Sequence, residues 1–598
     1  MPDPRPTLEQ PKGCELPELR PDRAEAEALD GRLHAMLAPF WQGLSPSSMA
    51  LASADWAWHL GTQPARAAQL AVRAWQLGQE AASAASDQAT LPSAASERPD
   101  DQRFAAKPWQ AWPWSWMARQ QLAAERWWRE ATDLRGMQAH HRDLVGAFAR
   151  QWLDMLSPTN AGLANPEVLT ATVQRRGGNL VDGWTHALDN WRVQHGLPRV
   201  ENGGQHFEPG KQVALTPGRV VHRNDLVEVI QYSPATAQVQ AEPVFIVPSW
   251  IMKYYILDLS PHDSMVRWLV AQGHTVFILS WRNPDAADAL LDMDDYLNLG
   301  VFDALAAIGR LVPGQAVHAV GYCLGGTLLS IAAAALARQG AVADAAALPS
   351  LASMSLLAAE TDFSEPGEMG VLIDESQVAL LEDMMAERGY LSGRQMAGSF
   401  QFLHSRELVW SATLREIWMG EALRPNDLMA WNADTTRMPA AMHSQYLRRL
   451  YLHNELALSR YCVEGRPVSL RDLRLPVFLV GTERDHVAPW RSVYKLHGLT
   501  DTEITFVLAS GGHNAGIVSE PGHPGRRWRE ATRRAGDRWM PPAAWASTAA
   551  PRTGSWWTAW DRWLKAQGCE QQVPARTMGA REGLGAAPGR YVHQRYDD

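Results

Sequence analysis

Cys323 lies between glycines two residues before and two residues after it, in the run Val320-Gly321-Tyr322-Cys323-Leu324-Gly325-Gly326-Thr327. The apolar stretch 316–320 leads in and reads as a buried strand; the alanine-rich stretch 328–336 leads out and reads as a helix. Glycine-x-nucleophile-x-glycine between a strand and a helix is the nucleophile-elbow pattern, with cysteine where serine usually stands. The glycines let neighbouring backbone pass close to a strained turn, and the free N–H groups of the following helix favour negative charge developing there. The competing reading is a buried, inert cysteine at a tight turn.

A thiol nucleophile needs a base, and the base needs an orienting acid. In this architecture they follow in the order nucleophile, acid, histidine. The strand 477–480 runs into Gly481-Thr482-Glu483-Arg484-Asp485-His486, which places Asp485 just past its carboxyl end, with Glu483 as rival. The strand 504–508 runs into Ala509-Ser510-Gly511-Gly512-His513, so His513 takes the station of the base. His486 adjoins Asp485, should point away from it, and is read as structural or supporting. One oxyanion-hole donor should be the N–H of Leu324; the second should come from the loop after 244–247, from Trp250 or Ile251. Asp258, beyond that loop, is either a supporting carboxylate or a salt-bridge or capping residue. Trp410, Trp431 and Tyr446 either line an acyl pocket or pack an insertion onto the core.

The elements that must position these residues alternate. Strands at 220–222 and 226–232 pair across Arg223-Asn224-Asp225. Strands at 244–247, 275–279 and 353–357 join those already placed, with helices at 265–272 and 296–311 between them. Strands alternating with helices imply a parallel sheet covered on both faces. The stretch 362–470 is mostly helical, shows no clear strand, and reads as a cap over the site. Upstream, 1–26 reads as a disordered tail, 27–77 as a small helical module, 78–103 as a linker and 104–205 as a helical N-terminal domain. Residues 206–598 then form the α/β catalytic domain. Asn165 should cap a helix that begins at Pro166.

The chain has 598 residues, enough for two to four domains, and a net charge of -9, which offers no reason to expect nucleic acid. Cys14, Cys323, Cys462 and Cys569 form no CxxC pair, so neither a metal site nor a disulfide framework is indicated, and a reducing, cytosolic setting fits. The N-terminus lacks the apolar centre of a signal peptide, and no apolar run is long enough to span a bilayer. Tryptophan is abundant at 27 residues. It clusters at Trp109, Trp112, Trp114 and Trp116, which look least like ordinary core, and at Trp556, Trp557, Trp560 and Trp563.

Longer blocks carry a family resemblance. They include Ser157-Pro158-Thr159-Asn160, Asn165-Pro166-Glu167, Thr216-Pro217-Gly218, Lys253-Tyr254-Tyr255, Ser280-Trp281-Arg282-Asn283-Pro284, and Tyr390-Leu391-Ser392-Gly393-Arg394. Further on come Trp431-Asn432-Ala433-Asp434-Thr435, Asp485-His486-Val487-Ala488-Pro489-Trp490, Gly554-Ser555-Trp556-Trp557 and Ala587-Pro588-Gly589-Arg590-Tyr591. Over roughly 104–598 the chain resembles the polyhydroxyalkanoate synthases, and 27–72 resembles a short N-terminal module of some members. The resemblance implies an α/β-hydrolase fold with a helical cap insertion and a Cys-Asp-His triad, here Cys323, Asp485 and His513. It implies no cofactor, CoA being part of a (3R)-hydroxyacyl-CoA substrate. It also implies a homodimeric active form and a growing polyester chain held at the surface of a cytoplasmic granule. Cys323-Leu324-Gly325-Gly326-Thr327 is closest to the single-subunit, short-chain members, so 3-hydroxybutyryl-CoA is the expected substrate. The departures are a longer N-terminal region, Arg424-Pro425-Asn426 where the family commonly has Phe-Asp, and the basic run Arg526, Arg527, Arg529, Arg533 and Arg534. That run either meets CoA phosphates or forms a solvated face of a helix or loop. The competing functions are an acyl-CoA thioesterase or polyester depolymerase on the same fold, and a non-catalytic granule-associated partner. The intact triad argues against the second.

Overall fold

Val, Ile, Leu and Phe fill the central strands so densely that both faces must be covered, as a parallel sheet requires. The computed structural model describes residues 21–41, 43–83, 103–195, 197, 207–338, 348–393, 395–396, 398, 402, 405–422, 426–569, 571–576 and 584–595. Residues 1–20, most of the expected linker and Arg424-Pro425 lie outside them. The described residues fall into two units, one drawn from Met1–Gly43, Phe207–Gly393 and Asp427–Asp598, the other from Leu44–His206 and Arg394–Asn426.

The first unit is built on a ten-stranded sheet. Its strands are β1 Gly218–Arg223, β2 Val227–Tyr232, β3 Val244–Val247, β4 Val276–Trp281, β5 Val317–Tyr322, β6 Leu351–Leu357, β7 Val477–Thr482, β8 Ile504–Ala509, β9 Arg527–Arg533 and β10 Pro551–Thr553. They lie in the order β1-β2-β4-β3-β5-β6-β7-β8-β9-β10. From β4 to β8 the neighbours run parallel; β1, β2, β9 and β10 are antiparallel additions at the two edges. This is the α/β-hydrolase arrangement. The register sets Tyr322 opposite Leu357, Leu357 opposite Val480, and Val480 opposite Val507. The carboxyl ends of β5, β6, β7 and β8 are therefore level, and the turns that leave these four strands meet at one rim.

The helix Pro21–Leu37 belongs to this unit and lies against the helix Glu375–Arg388, where His34 Nδ1 and Asp383 Oδ2 are 2.8 Å apart. The helices Pro46–Thr62 and Pro64–Ser83 belong to the second unit, so the stretch expected as one module at 27–77 contributes to both. The expected cap is divided too: 394–426 groups with the helical unit, and 427–470 stays with the sheet. Within the helical unit, Trp114–Thr132 and Ala139–Met155 are the long amphipathic helices. Asn165 caps Pro166–Gln174 by accepting the N–H of Glu167 at 2.9 Å. Asp154, buried, receives Arg103 and Arg406. Among the described residues no helix is long and apolar enough to cross a membrane.

Two readings change. Arg527, Arg529 and Arg533 of the arginine run lie in neither helix nor loop but in strand β9, paired with β8 and β10, and Arg526 and Arg534 flank it. Arg529 donates to Ala549 O at 2.7 Å, and Arg533 to the carbonyls of His497, Thr500 and Thr502 at 2.9 to 3.0 Å. Those guanidiniums tie the sheet edge to neighbouring loops. The tryptophan clusters also separate. Trp556, Trp557 and Trp560 are fully buried, with their indole N–H groups donating to Gly516 O, Ile517 O and Ser355 Oγ, each at 2.9 Å. Trp109 is equally buried and donates to Glu167, whereas Trp112 is 74% exposed.

His497 lies in the core between Tyr494, at 4.1 Å between ring centroids, and Phe506, at 5.8 Å. Burial holds its pKa down at about 4. The unfolded chain takes this proton near 6.5 and the folded chain does not until about 4. The group's stabilising contribution is therefore complete above 6.5 and is lost as pH falls through that window. His497→Phe should make stability less acid-sensitive by about 1.4 kcal/mol per pH unit. Urea titrations at pH 7 and pH 5 measure it, and equal pH slopes in the two proteins would contradict it.

Candidate active site

β5 ends at Tyr322, and the helix Leu324–Ala337 begins two residues later. Cys323 bridges them at φ 53° and ψ -130°, a conformation that side chains other than glycine rarely adopt. The turn is so tight that a Cβ on Gly321 would strike Gly326, and one on Gly325 would strike the carbonyls of Val247 and Pro248. Cys323 N–H donates to Leu357 O at 2.9 Å, and Cys323 O accepts Gly326 N–H at 2.9 Å. The backbone of the turn is thus held by β6 on one side and by its own helix on the other.

Asp485 follows β7 and is sealed from solvent. Its Oδ1 accepts the N–H groups of Val487 at 2.9 Å and Ala488 at 2.8 Å; its Oδ2 accepts Thr482 Oγ1 at 3.1 Å. The same Oδ2 stands 2.8 Å from His513 Nδ1. That contact places the Nδ1 proton toward the carboxylate and leaves Nε2 as the ring atom available to a thiol. Burial works against charge on His513, but the Asp485 carboxylate and Cys323 outweigh it and hold the imidazole pKa well above its ordinary value. The structure therefore joins Asp485 and His513, which come from separate strand ends, at the rim where β5 also ends in the Cys323 turn. Glu483, the rival acid, turns outward to Arg527 at 3.1 Å.

Supports missing from the sequence reading surround the pair. Tyr322 lays its ring 5.6 Å from that of His513 and donates from its hydroxyl to Asn514 Oδ1 at 2.6 Å. Trp556 and Trp557 hold the carbonyls of Gly516 and Ile517 in the same loop. An aromatic residue before the nucleophile and a tryptophan pair after the last helical breaks are visible in sequence, but their partners are not. Glu360, just past β6, is buried beside the elbow. The signal for it was a carboxylate directly after a sheet strand neighbouring the nucleophile's own.

Leu324 opens its helix, where a backbone N–H has no intrahelical acceptor. Ile251 N–H donates to Ser249 Oγ at 3.3 Å, which leaves Trp250 N–H as the better second donor. The loop carrying it is pinned by Trp281 Nε1 to Pro248 O at 3.0 Å, Thr436 N–H to Ile251 O at 2.9 Å and Trp431 Nε1 to Lys253 O at 2.8 Å. Trp431 thus acts on the loop. Tyr446 is buried, 5.8 Å from the Trp250 ring, with its hydroxyl 3.1 Å from that of Tyr451. Trp410 belongs to the helical unit and is not among the residues the first unit gathers here. Asp258 accepts Thr216 Oγ1 at 2.5 Å and Ser264 Oγ at 2.7 Å; burial raises its pKa to about 6, and it braces the chain after the loop. The His486 side chain is 62% exposed and faces Glu368.

Comparison with known proteins gives three family matches. Residues 100–269 match the family described as Poly-beta-hydroxybutyrate polymerase (PhaC) N-terminus, 24–66 match Poly-beta-hydroxybutyrate polymerase N terminal, and 242–520 match the alpha/beta hydrolase fold. The chain is 39% identical over 502 residues to a poly(3-hydroxyalkanoate) polymerase of Methylorubrum extorquens, covering 83% of this chain and 81% of that one. It is 36% identical over 500 residues to a poly(3-hydroxyalkanoate) polymerase subunit of Rhizobium meliloti, covering 83% and 80%. For the corresponding subunit of Cupriavidus necator the identity is 35% over 505 residues, covering 82% and 83%.

The elbow geometry yields a direct test. A methyl group on Gly325 must displace the 247–248 backbone, and with it the Trp250 N–H. A misplacement on the order of 1 Å costs about 100-fold in rate. Gly325→Ala should lower the turnover of CoA release by about that factor, and a variant as fast as the parent would refute the packing argument.

Proposed function

The chain belongs to the poly(3-hydroxyalkanoate) polymerase family, and from that premise we propose that Cys323, Asp485 and His513 carry its acyl transfer through an acyl-cysteine, with 3-hydroxybutyryl-CoA as substrate. The protein is a polyester-forming acyltransferase. The observation that carries the assignment of the site is the 2.8 Å contact between His513 Nδ1 and Asp485 Oδ2, which leaves Nε2 of the same ring to serve the thiol.

The chemistry is dictated by that arrangement. His513 Nε2 takes the Cys323 proton, and the thiolate attacks the thioester carbonyl. The oxyanion lies between the N–H groups of Leu324 and Trp250. As the carbonyl re-forms, the bond to CoA sulfur breaks, and His513 returns the proton to CoA thiol. The hydroxyacyl group stays on Cys323 in a new thioester, so its reactivity is conserved. His513, neutral again, removes the proton from the hydroxyl of an incoming unit or chain end. That oxygen attacks the acyl-cysteine and forms the ester while the thiol is released. Asp485 holds the tautomer and stabilises the imidazolium throughout. The buried aromatic side chains of Trp250, Tyr446 and Trp431 around the loop favour exclusion of water, the competing nucleophile. The family resemblance supports a homodimeric active form working at a cytoplasmic granule surface, with no cofactor beyond the CoA of the substrate.

Purified protein given (3R)-3-hydroxybutyryl-CoA should release CoA and deposit insoluble polymer; CoA with soluble acid would make it a thioesterase. Cys323→Ala should abolish CoA release. Asp485→Asn should lower kcat about 10³- to 10⁴-fold. Without the carboxylate the imidazolium loses support, so the acid limb of kcat/KM should also move to lower pH. Rate profiles between pH 5 and 9 would show it, and an unmoved limb would remove His513 from the role of base.

A further inference from the structure

Past β6 the chain turns through Ala358 at φ 47°, strained for a residue with a side chain, while its N–H donates to Val480 O at 2.8 Å. The turn presses Ala359 against Gly326 in the elbow, so closely that a Cβ on that glycine would collide with it. It also brings the Glu360 carbonyl to the Thr327 hydroxyl at 2.7 Å. Glu360 is therefore clamped beside the first turn of the nucleophile's helix. The residue is 5% exposed, and its Oε1 is buried without a hydrogen-bond partner. A buried polar atom left unpaired is costly, and its persistence beside a reactive turn calls for a functional explanation.

The surroundings define what the carboxyl can offer. Burial, followed by Asp485 and Cys323 beside it, pushes its pKa well above the usual carboxylate range, which favours the protonated form with an O–H to donate. Tyr446 and Tyr451 are the nearby hydroxyls, but they are engaged with one another at 3.1 Å. The reaction brings one further oxygen close to this place. In a 3-hydroxyacyl thioester the carbonyl oxygen occupies the oxyanion hole, and the next polar atom along the acyl group is the 3-oxygen, two carbons away. It is a hydroxyl in a newly loaded unit and an ester oxygen once a chain is attached. Both accept a hydrogen bond, and an ionised carboxylate would repel the second.

We propose that Glu360 receives the 3-oxygen of the acyl group carried on Cys323 and so selects 3-oxygenated acyl groups over plain ones. This rests on the reading of Cys323 as the acyl carrier. Glu360 is then a specificity-determining residue, outside the proton path of His513.

The test is single-turnover CoA release from 3-hydroxybutyryl-CoA and from butyryl-CoA, with Cys323→Ala as control. If the control releases CoA from either thioester, the acyl-carrier reading fails before Glu360 is at issue. The parent protein should favour the hydroxylated thioester by about tenfold, the worth of one hydrogen bond between neutral groups. Glu360→Leu should abolish that preference by slowing the hydroxylated substrate alone, without lowering the urea midpoint, because it removes an unpaired polar group. Glu360→Gln, which keeps a donor, should retain most of the preference. A parent protein without preference, or a Glu360→Leu variant that keeps it or slows both substrates alike, would overturn the proposal. The parent measurement needs no variant to fold.

Discussion

Everything at the rim of the sheet is arranged around one strained residue. Cys323 at φ 53° is expensive for a side chain, and it persists because its surroundings leave no alternative. β6 takes its N–H, its own helix takes its carbonyl, and three glycines allow β3, β5 and the segment after β6 to close in. Relief of that strain would need the elbow to move away from the 247–248 backbone, but Trp281, Trp431 and Thr436 hold the loop from behind. Strain in the turn and pinning of the loop are therefore one construction. It fixes the backbone on both sides of Cys323, the arrangement from which the proposed oxyanion hole follows.

The charge balance of the rim is set by burial. Asp485 is satisfied by two backbone N–H groups, a hydroxyl and His513, which makes a buried anion tolerable and lets it sustain an imidazolium. Glu360 has no such set of donors. Burial, with Asp485 and Cys323 beside it, holds its pKa well above the usual carboxylate range. Two carboxyl groups at neighbouring strand ends thus sit in opposite surroundings, one with four hydrogen-bond partners and one with an unpaired oxygen. Interchange of their roles is prevented by the number of N–H groups each can reach, a property of the backbone around them.

The stations of Cys323, Asp485 and His513 were legible because each comes after an apolar run short enough to be a buried strand, and because glycines mark the turns. The N-cap at Asn165 was legible for the same local reason. The features that escaped depend on contacts far along the chain. β9 reads as a charged surface because Arg527, Arg529 and Arg533 interrupt its pattern; Arg529 and Arg533 satisfy distant carbonyls, and Arg527 pairs with Glu483. Glu360 carries in sequence only the signal of a carboxylate after a strand, since burial of its carboxyl is set by Ala358, Ala359 and the elbow. The tryptophans at 556 and 557 could be placed in a core by composition, but not against the carbonyls of the histidine loop. Trp410 illustrates the converse: an aromatic residue in a predicted cap carries no information about which unit it joins.

A polymerase built on a hydrolase frame must make two transfers at one sulfur with one base, and must let an alcohol win over water. Thiol exchange solves the first part, because the acyl group moves between thioesters of similar energy and keeps its reactivity for the second attack. In the proposed cycle the proton His513 accepts from the thiol leaves with CoA, so the same ring is neutral when the hydroxyl arrives. Asp485 makes this cycle repeatable by holding the ring in one tautomer. Selection of alcohol over water cannot come from the triad, which treats both alike. It must come from the side chains that decide which groups are positioned near the acyl-cysteine: the buried aromatics behind the Trp250 loop, and an unpaired carboxyl that is completed only when the acyl chain carries an oxygen at the right carbon.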